Sequence, residues 1–260
     1  MASTKTKTVV AGVMVSAVIV SAVAVKWLFF PSIKDEYFKS DYREFQKVPD
    51  NLLVVRPTRF SLPSHGTVFS SYTRSPSGQF IVRQMGRNVS LERVMAMAYQ
   101  CNPAQVVTPA TRPPGNFDFL VTVPDPSRDL FKAAIEKQLG YAAHWEMRQT
   151  GVLLLETQTP HPSGLKVSTA KSGNVSFNNG RYEFTHARLG SLMGFCEQYL
   201  DRPVLDRTGL TDFYDFSVKI SWPIPGDPDP ATVEKILEGL GLKLEPGNEA
   251  VQMLVVEKAR

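Results

Sequence analysis

"QLGYAAHWEMRQTGVLLLE" occupies Gln138–Glu156, and "GLGLKLEPGNEAVQMLVVE" occupies Gly239–Glu257. The two passages align without a gap. Each leaves the end of an amphipathic helix through a glycine (Gly140, Gly241), alternates apolar and polar residues, meets a turn-like triplet and closes on an apolar run that ends in glutamate. A left-handed backbone at a helix C-terminus costs glycine little, so Gly140 and Gly241 read as helix caps. Gln149-Thr150-Gly151 and Pro246-Gly247-Asn248 read as turns, each joining two strands of one copy. The chain is written twice.

Outward from these passages the correspondence continues. "FDFLVTV" (Phe117–Val123) and "YDFSVKI" (Tyr214–Ile220) alternate with the period of a strand. Asp125-Pro126 and Asp229-Pro230 follow, in the order that starts a helix: Asp accepts from free N–H groups, and Pro has none to leave unpaired. The helices after them carry Leu130, Ala134, Ile135 and Leu139, or Val233, Ile236, Leu237 and Leu240, at core spacing. Farther upstream, "GQFIVRQ" (Gly78–Gln84) precedes a helix with Leu91, Val94, Met95 and Ala98. "GRYEFTH" (Gly180–His186) precedes one with Leu189, Leu192, Met193 and Cys196, and Asn179-Gly180 is a hairpin signal. "QVVTPATRPPGNFDF" corresponds to "RPVLDRTGLTDFYDF". The fold class expected is α+β: two tandem βαββαββ-like modules with mixed sheets at residues 51–158 and 175–260. A Pro-, Gly- and Ser-bearing linker at 159–174 separates them. The second module, with caps and a closing strand of its own, is expected to fold alone.

The N-terminus predicts a location. Val9–Val25 is uncharged and runs through Lys26 into "WLFF", so a helix over Thr8–Phe30 would measure about 34 Å, enough to cross a bilayer. Lys5 and Lys7 favour an inward N-terminus, with Lys26 snorkelling beside Trp27 at the far interface. The expectation is a single-pass membrane protein: cytoplasmic N-terminus and transmembrane helix in 1–30, tether in 31–50, partly helical from Lys34 to Gln46, and an extracytoplasmic body. Ala22-Val23-Ala24 also fits a signal-peptide cleavage site. The chain holds 29 Lys and Arg against 25 Asp and Glu, a formal charge of +4. Lys5, Lys7, Lys26 and Lys34 account for the excess, so the body is neutral and lacks an electrostatic footprint for nucleic acid.

The motifs with chemical overtones each have a local explanation. Asp206-Arg207-Thr208-Gly209 resembles the Asp-Lys-Thr-Gly phosphorylation site of P-type ATPases, but this chain lacks their nucleotide domain and many helices; a tight turn explains it. His144-Trp145-Glu146 has the His-x-Glu form of zinc deaminases without the Pro-Cys-x-x-Cys that should follow, and reads as a solvated strand face. His65, His161 and His186 are scattered. Cys101 and Cys196 read as two thiols in separate modules, with a bridge between halves the alternative. Arg56–Phe60 ("RPTRF") with Arg83 and Arg87 read as exposed strand ends, or alternatively as an arginine-aromatic partner surface. No catalytic, cofactor-binding or metal-ligating residue is expected, and no cofactor.

"RNVSLERVMAMAYQ", "FDFLVTVP", "RPVLDRTGLTDFYDFSVKI" and "GLGLKLEPGNEAVQMLVVEKA" resemble an uncharacterised soil-associated bacterial family carrying a domain of unknown function, over most of the chain from about Leu52. Each half is also similar, more weakly, to the short N-terminal domain of secretins and TonB-dependent receptors: a Ser-Leu-opened helix, a "VLDRTGL"-like turn, an amphipathic helix, "LGLKL" and an apolar last strand. That second resemblance implies a two-helix, mixed-sheet fold used for protein contacts in the periplasm. Three functions follow: a protein-interaction module with an envelope protein partner, anchored to the inner membrane through residues 8–30; a small-ligand sensor or enzyme using a cleft between modules; or a structural component of an envelope secretion or uptake assembly.

Overall fold

The computed structural model describes residues 35–39, 42–61, 66–74, 80–111, 115–123, 128–178, 180–219 and 230–259. Residues 1–48 and 49–260 are separate compact units. Within the first, α1 (Glu36–Lys39) and α2 (Tyr42–Phe45) are single-turn helices, and Phe38, Phe45 and Val48 are buried. The transmembrane anchor expected at Thr8–Phe30 is corrected. No helix among the described residues is long and apolar enough to cross a membrane, and Thr8–Phe30 itself lies outside them. A span needs about 20 apolar residues, whereas the longest described helix, Leu189–Leu200, has 12. The single-pass, inner-membrane location with a periplasmic body rested on that helix and is withdrawn with it.

The second unit is mixed α+β and holds three four-stranded sheets. The first joins β1 (Leu53–Pro57), β5 (Phe117–Val121), β3 (Phe80–Val89) and β2 (Thr67–Arg74) in that order, all antiparallel. The helices of this half are α3 (Leu91–Tyr99) and α4 (Asp129–Leu139). A 3-10 turn at Pro103–Gln105 leads into the short strand β4 (Val106–Val107). The second half repeats the plan. Its sheet runs β7 (Lys166–Val167), β11 (Tyr214–Lys219), β9 (Arg181–Ala187) and β8 (Asn174–Asn178), with helices α5 (Leu189–Leu200) and α6 (Pro230–Leu240) and the short strand β10 (Val204–Asp206). The stretch expected as a linker thus contributes β7. β8 and β9 pair antiparallel up to Asn178 with Arg181; Asn179 of the expected Asn179-Gly180 turn lies outside the described residues. Pro230 opens α6 as expected; Asp125-Pro126 and Asp229 lie outside the described residues.

The third sheet departs from the expected hairpins. β6 (Tyr141–Thr157) and β12 (Leu242–Lys258) are single strands of 17 residues that run straight through the expected turns. They pair antiparallel along their whole length, Tyr141 with Lys258 and Thr157 with Leu242. β4 flanks β12 and β10 flanks β6, both parallel, giving the order β10-β6-β12-β4. None of residues 149–151 or 246–248 has positive φ, the feature that a two-residue hairpin turn requires. Gln149 pairs with Ala250, its own counterpart in the repeat, so a pseudo-twofold axis passes through this pair.

The consequence is an exchange. The first core gathers Leu53, Val55, Val94, Met95, Phe119, Phe131 and Ile135, and is completed by Tyr141 from β6 and by Leu254 and Val256 from β12. The second gathers Phe184, Leu192, Cys196, Phe216, Val218, Val233 and Leu237, completed by Leu242 from β12 and Leu155 from β6. Each long strand begins in its own half and ends in the other. Leu155 is fully buried, and burying one such side chain contributes roughly 1.5–3 kcal/mol.

Candidate functional site

Both sheets beside the exchanged pair share one further device. Opposite the Phe117–Phe119 and Tyr214–Phe216 steps, β3 and β9 each carry a one-residue bulge. The bulge residues, Asn88 and His186, have φ of 54° and 49°. Their N–H groups donate to Asp118 at 3.0 Å and Asp215 at 2.8 Å. The aspartate repeated in "FDF" and "YDF" therefore holds a bulge in each half. Asp118 also accepts from Thr58 Oγ1 (2.8 Å) and the Arg59 N–H (3.0 Å), and Arg56 Nε lies 3.5 Å away. Arg83 meets Asp50 at 2.6 Å and is 7% exposed. Arg56 and Arg83 are thus drawn inward to carboxylates, neither exposed strand ends nor a partner surface; Arg87 lies over the ring of Phe69.

The other sequence motifs are placed as follows. Asp206 accepts from Thr208 N (2.8 Å) and Thr208 Oγ1 (2.6 Å), and Thr208 Oγ1 accepts from Leu210 N, which is a local turn. Cys101 packs against the first core and Cys196 lies inside the second; both are free thiols. Burial pushes the Cys196 thiol up to about 12 and the Cys101 thiol to about 11. His186 stacks on Phe213 at 4.1 Å. Among the described residues no three His, Cys, Asp or Glu side chains gather to hold a metal ion. Between the halves lies an open depression of about 350 Å³, lined by Ser90, Glu92, Pro103, Ala104, Val106 and Asp201. Of its two acids, Glu92 is already bonded to Thr108 at 2.7 Å.

His144-Trp145-Glu146 lies in the first third of β6, beside a feature that no sequence motif marks. His144 sits 3.6 Å from Glu146 and 3.8 Å from Glu257, and Glu146 bonds Arg148 at 3.2 Å. The Arg148 bond holds the Glu146 carboxyl below the usual glutamate range. This charged row lies on one face. Trp145 and Met147 are on the other, the face that carries Tyr141 and Leu155 into the two cores, and in the gap between the cores they stay exposed by 38% and 63%.

Backbone direction decides what this stretch can bind. Leu153 N–H donates to Pro203 O and Leu155 O accepts from Arg207 N–H, so odd-numbered residues of β6 turn their peptide groups away from β12. The Ala143 carbonyl, also odd-numbered, accepts from the Tyr99 hydroxyl at 3.1 Å. Between Tyr99 at Ala143 and β10 at Leu153, the outward peptide groups of Trp145, Met147, Gln149 and Gly151 meet no strand among the described residues. By the pseudo-twofold axis the equivalent edge of β12 carries Pro246 and Asn248 in place of Trp145 and Met147. Pro246 pairs with Leu153, whose N–H is turned to β10, so the donor that Pro246 lacks is one that would have pointed outward. The Asn248 carbonyl is taken by the Gln149 side chain at 2.8 Å. Proline and charge are the usual means of closing an edge. Among the described residues one edge carries a proline and a carbonyl capped by a side chain, and the matching positions of its twin carry neither.

A match of Trp145 to Pro246 in the gapless repeat was the available signal, but without the strand exchange it had no meaning. No curated protein and no solved structure matches the chain. The family model described as protein of unknown function (DUF3738) matches residues 92–259, from the first helix of the first half through β12, and the chain belongs to that family.

Proposed function

We propose that this chain is a protein-interaction module that takes up an extended segment of a protein partner by strand addition along β6, from Trp145 to Gly151. The observation that carries the reading is the edge itself: outward peptide groups that meet no strand among the described residues, beside exposed Trp145 and Met147, where the repeat's other copy has Pro246. Main-chain hydrogen bonds along such an edge supply affinity, and alternate side chains supply selectivity. The weaker likeness of each half to short secretin and TonB-receptor domains that serve protein contacts supports the same reading.

The test is photocrosslinking in cells that produce the full chain, with a photoreactive residue at Met147 or, on the closed edge, at Asn248. Protein adducts are expected from Met147 only, and Trp145→Pro should remove them, because it transplants the repeat's own edge-closing residue. Adducts from neither position, or equally from both, would show the edge to be uninvolved.

A further inference from the structure

We infer that the segment added to this edge is β6 of a second copy of the chain, antiparallel to the first, across a twofold axis at Met147. The inference rests on the strand-addition reading and names its partner. The open stretch is bounded: Tyr99 occupies the Ala143 carbonyl, and β10 takes over at Leu153. An antiparallel self-pair can be centred on any of its seven residues, Trp145 to Gly151. Centring on Glu146 or on Arg148 sets like charges face to face, which destabilises a cross-strand pair. Centring on Trp145 draws the occupied Ala143 carbonyl into the ladder. Centring on Gln149, Thr150 or Gly151 pushes Trp145, Met147 or Gln149 against Leu153, whose N–H already belongs to β10.

The Met147 register brings Ala143 opposite Gly151 at its own end, and what singles it out is charge. Trp145 then faces Gln149 of the second copy, and Met147 faces Met147 of the second copy, all with peptide groups turned toward the new neighbour. Glu146 faces Arg148 of the second copy and Arg148 faces Glu146 of the second copy, at the positions where side chains across an antiparallel pair lie closest. His144 meets Thr150. The row His144, Glu146, Arg148 is therefore complementary to its own reverse. Met147, unbranched and adaptable, suits a contact with itself. The closed β12 edge completes the logic, since two open edges per chain would propagate a sheet, whereas one gives a closed pair.

Light scattering on the full chain across a range of concentrations, with four variants, tests this. The parent should reach twice the mass of the chain. Trp145→Pro should be monomeric and still melt cooperatively, at a temperature that no longer depends on concentration. Glu146→Arg should weaken association by roughly tenfold or more, since two attractive cross-strand pairs become repulsive, and the double variant Glu146→Arg/Arg148→Glu should restore it. Met147→Cys should give a disulfide between copies on mild oxidation, which the parent with only Cys101 and Cys196 should not. A monomeric parent whose Met147 crosslinks to a different protein would overturn the second copy and leave strand addition standing. A monomeric parent without crosslinks would remove both readings. A dimer indifferent to Trp145→Pro would place the contact elsewhere and overturn the second copy, while the crosslinks from Met147 and Asn248 decide strand addition.

Discussion

The bulge aspartates of the two halves are the same residue in the same backbone device, and they live in different surroundings. Asp118 is wholly buried, with Asn88, Thr58 and Arg59 donating to it and Arg56 beside it. Asp215 is half-buried. Its carboxyl lies below the usual aspartate range, held there first by the Ser168 hydroxyl and then by the His186 N–H. Next to each, the sheets differ again. In the first half Gly86 pairs with Phe119, and the ring fills the place of a missing side chain: a Cβ on Gly86 would lie 2.2 Å from the ring. In the second half the same pair is Phe184 with Phe216, stacked at 4.6 Å. A duplicated backbone thus tolerates two different solutions, provided each site's volume and polar groups are settled locally.

Separating the halves should have the largest effect. Residues 175–260 alone lack Leu155 and the β6 ladder, so the isolated segment is expected to show no cooperative thermal transition, contrary to what its own caps suggest. Adding residues 49–158 in trans should restore one. A cooperative melt of the segment alone would mean the exchange is dispensable.

Next come the aspartates. Asp118→Ala strands the Arg56 side chain and three donors in a buried place and should cost about 3–5 kcal/mol. Asp215→Ala, whose donors water can reach, should cost about 1 kcal/mol. Denaturant titrations on the two variants measure the gap, and equal costs would show that the difference in burial is irrelevant.

Gly86→Ala drives a methyl into Phe119 and should cost about 1–3 kcal/mol by overpacking. The informative companion is Gly86→Ala with Phe119→Leu. If the ring is the obstacle, the double variant should be more stable than the sum of the single costs implies.

The smallest effect concerns the last turn of the first helix in each half, where Tyr99 and Glu197 are equivalent. Each ties a strand's backbone, Tyr99 at Ala143 and Glu197 at the Val204 N–H. Burial raises the Glu197 carboxyl above its ordinary range, and the Val204 bond only partly offsets this. With the folded pKa above the unfolded one, this group's contribution is complete below the ordinary glutamate pKa and is lost as pH rises through the raised value. Glu197→Gln keeps the acceptor without the ionisation. It should match the parent at low pH and exceed it at neutral pH by no more than about 1 kcal/mol, given the group's partial exposure. Melting temperatures against pH for the pair would show it; parallel curves would rule it out.

Much of this architecture was legible in the residues. Leu91, Val94, Met95 and Ala98 are buried on α3, and Leu189, Leu192 and Cys196 on α5, as their spacing predicts. Gly140 and Gly241 cap their helices with φ of 70° and 77°. The expected short strands form at equivalent places, Val106–Val107 and Val204–Asp206. One core position was misread: Leu130 is 46% exposed and Phe131, one residue on, fills the core. α4 begins at Asp129, later than the Asp-Pro signal implied, and the later start turns its faces.

The sequence by itself determined the duplication, the element order and the faces of most elements, because periodicity, caps and turn residues act within a few positions along the chain. Only the tertiary structure decided which strands pair. Period-2 alternation in Tyr141–Thr157 suits a hairpin folded on itself as well as a long strand laid against its twin, and the copies match too closely for local pattern to choose. The choice falls to non-local burial: Leu155 and Val256 each reach the core of the opposite half only if both strands stay straight. The open edge at Trp145–Gly151 follows from that pairing, so no motif could mark it.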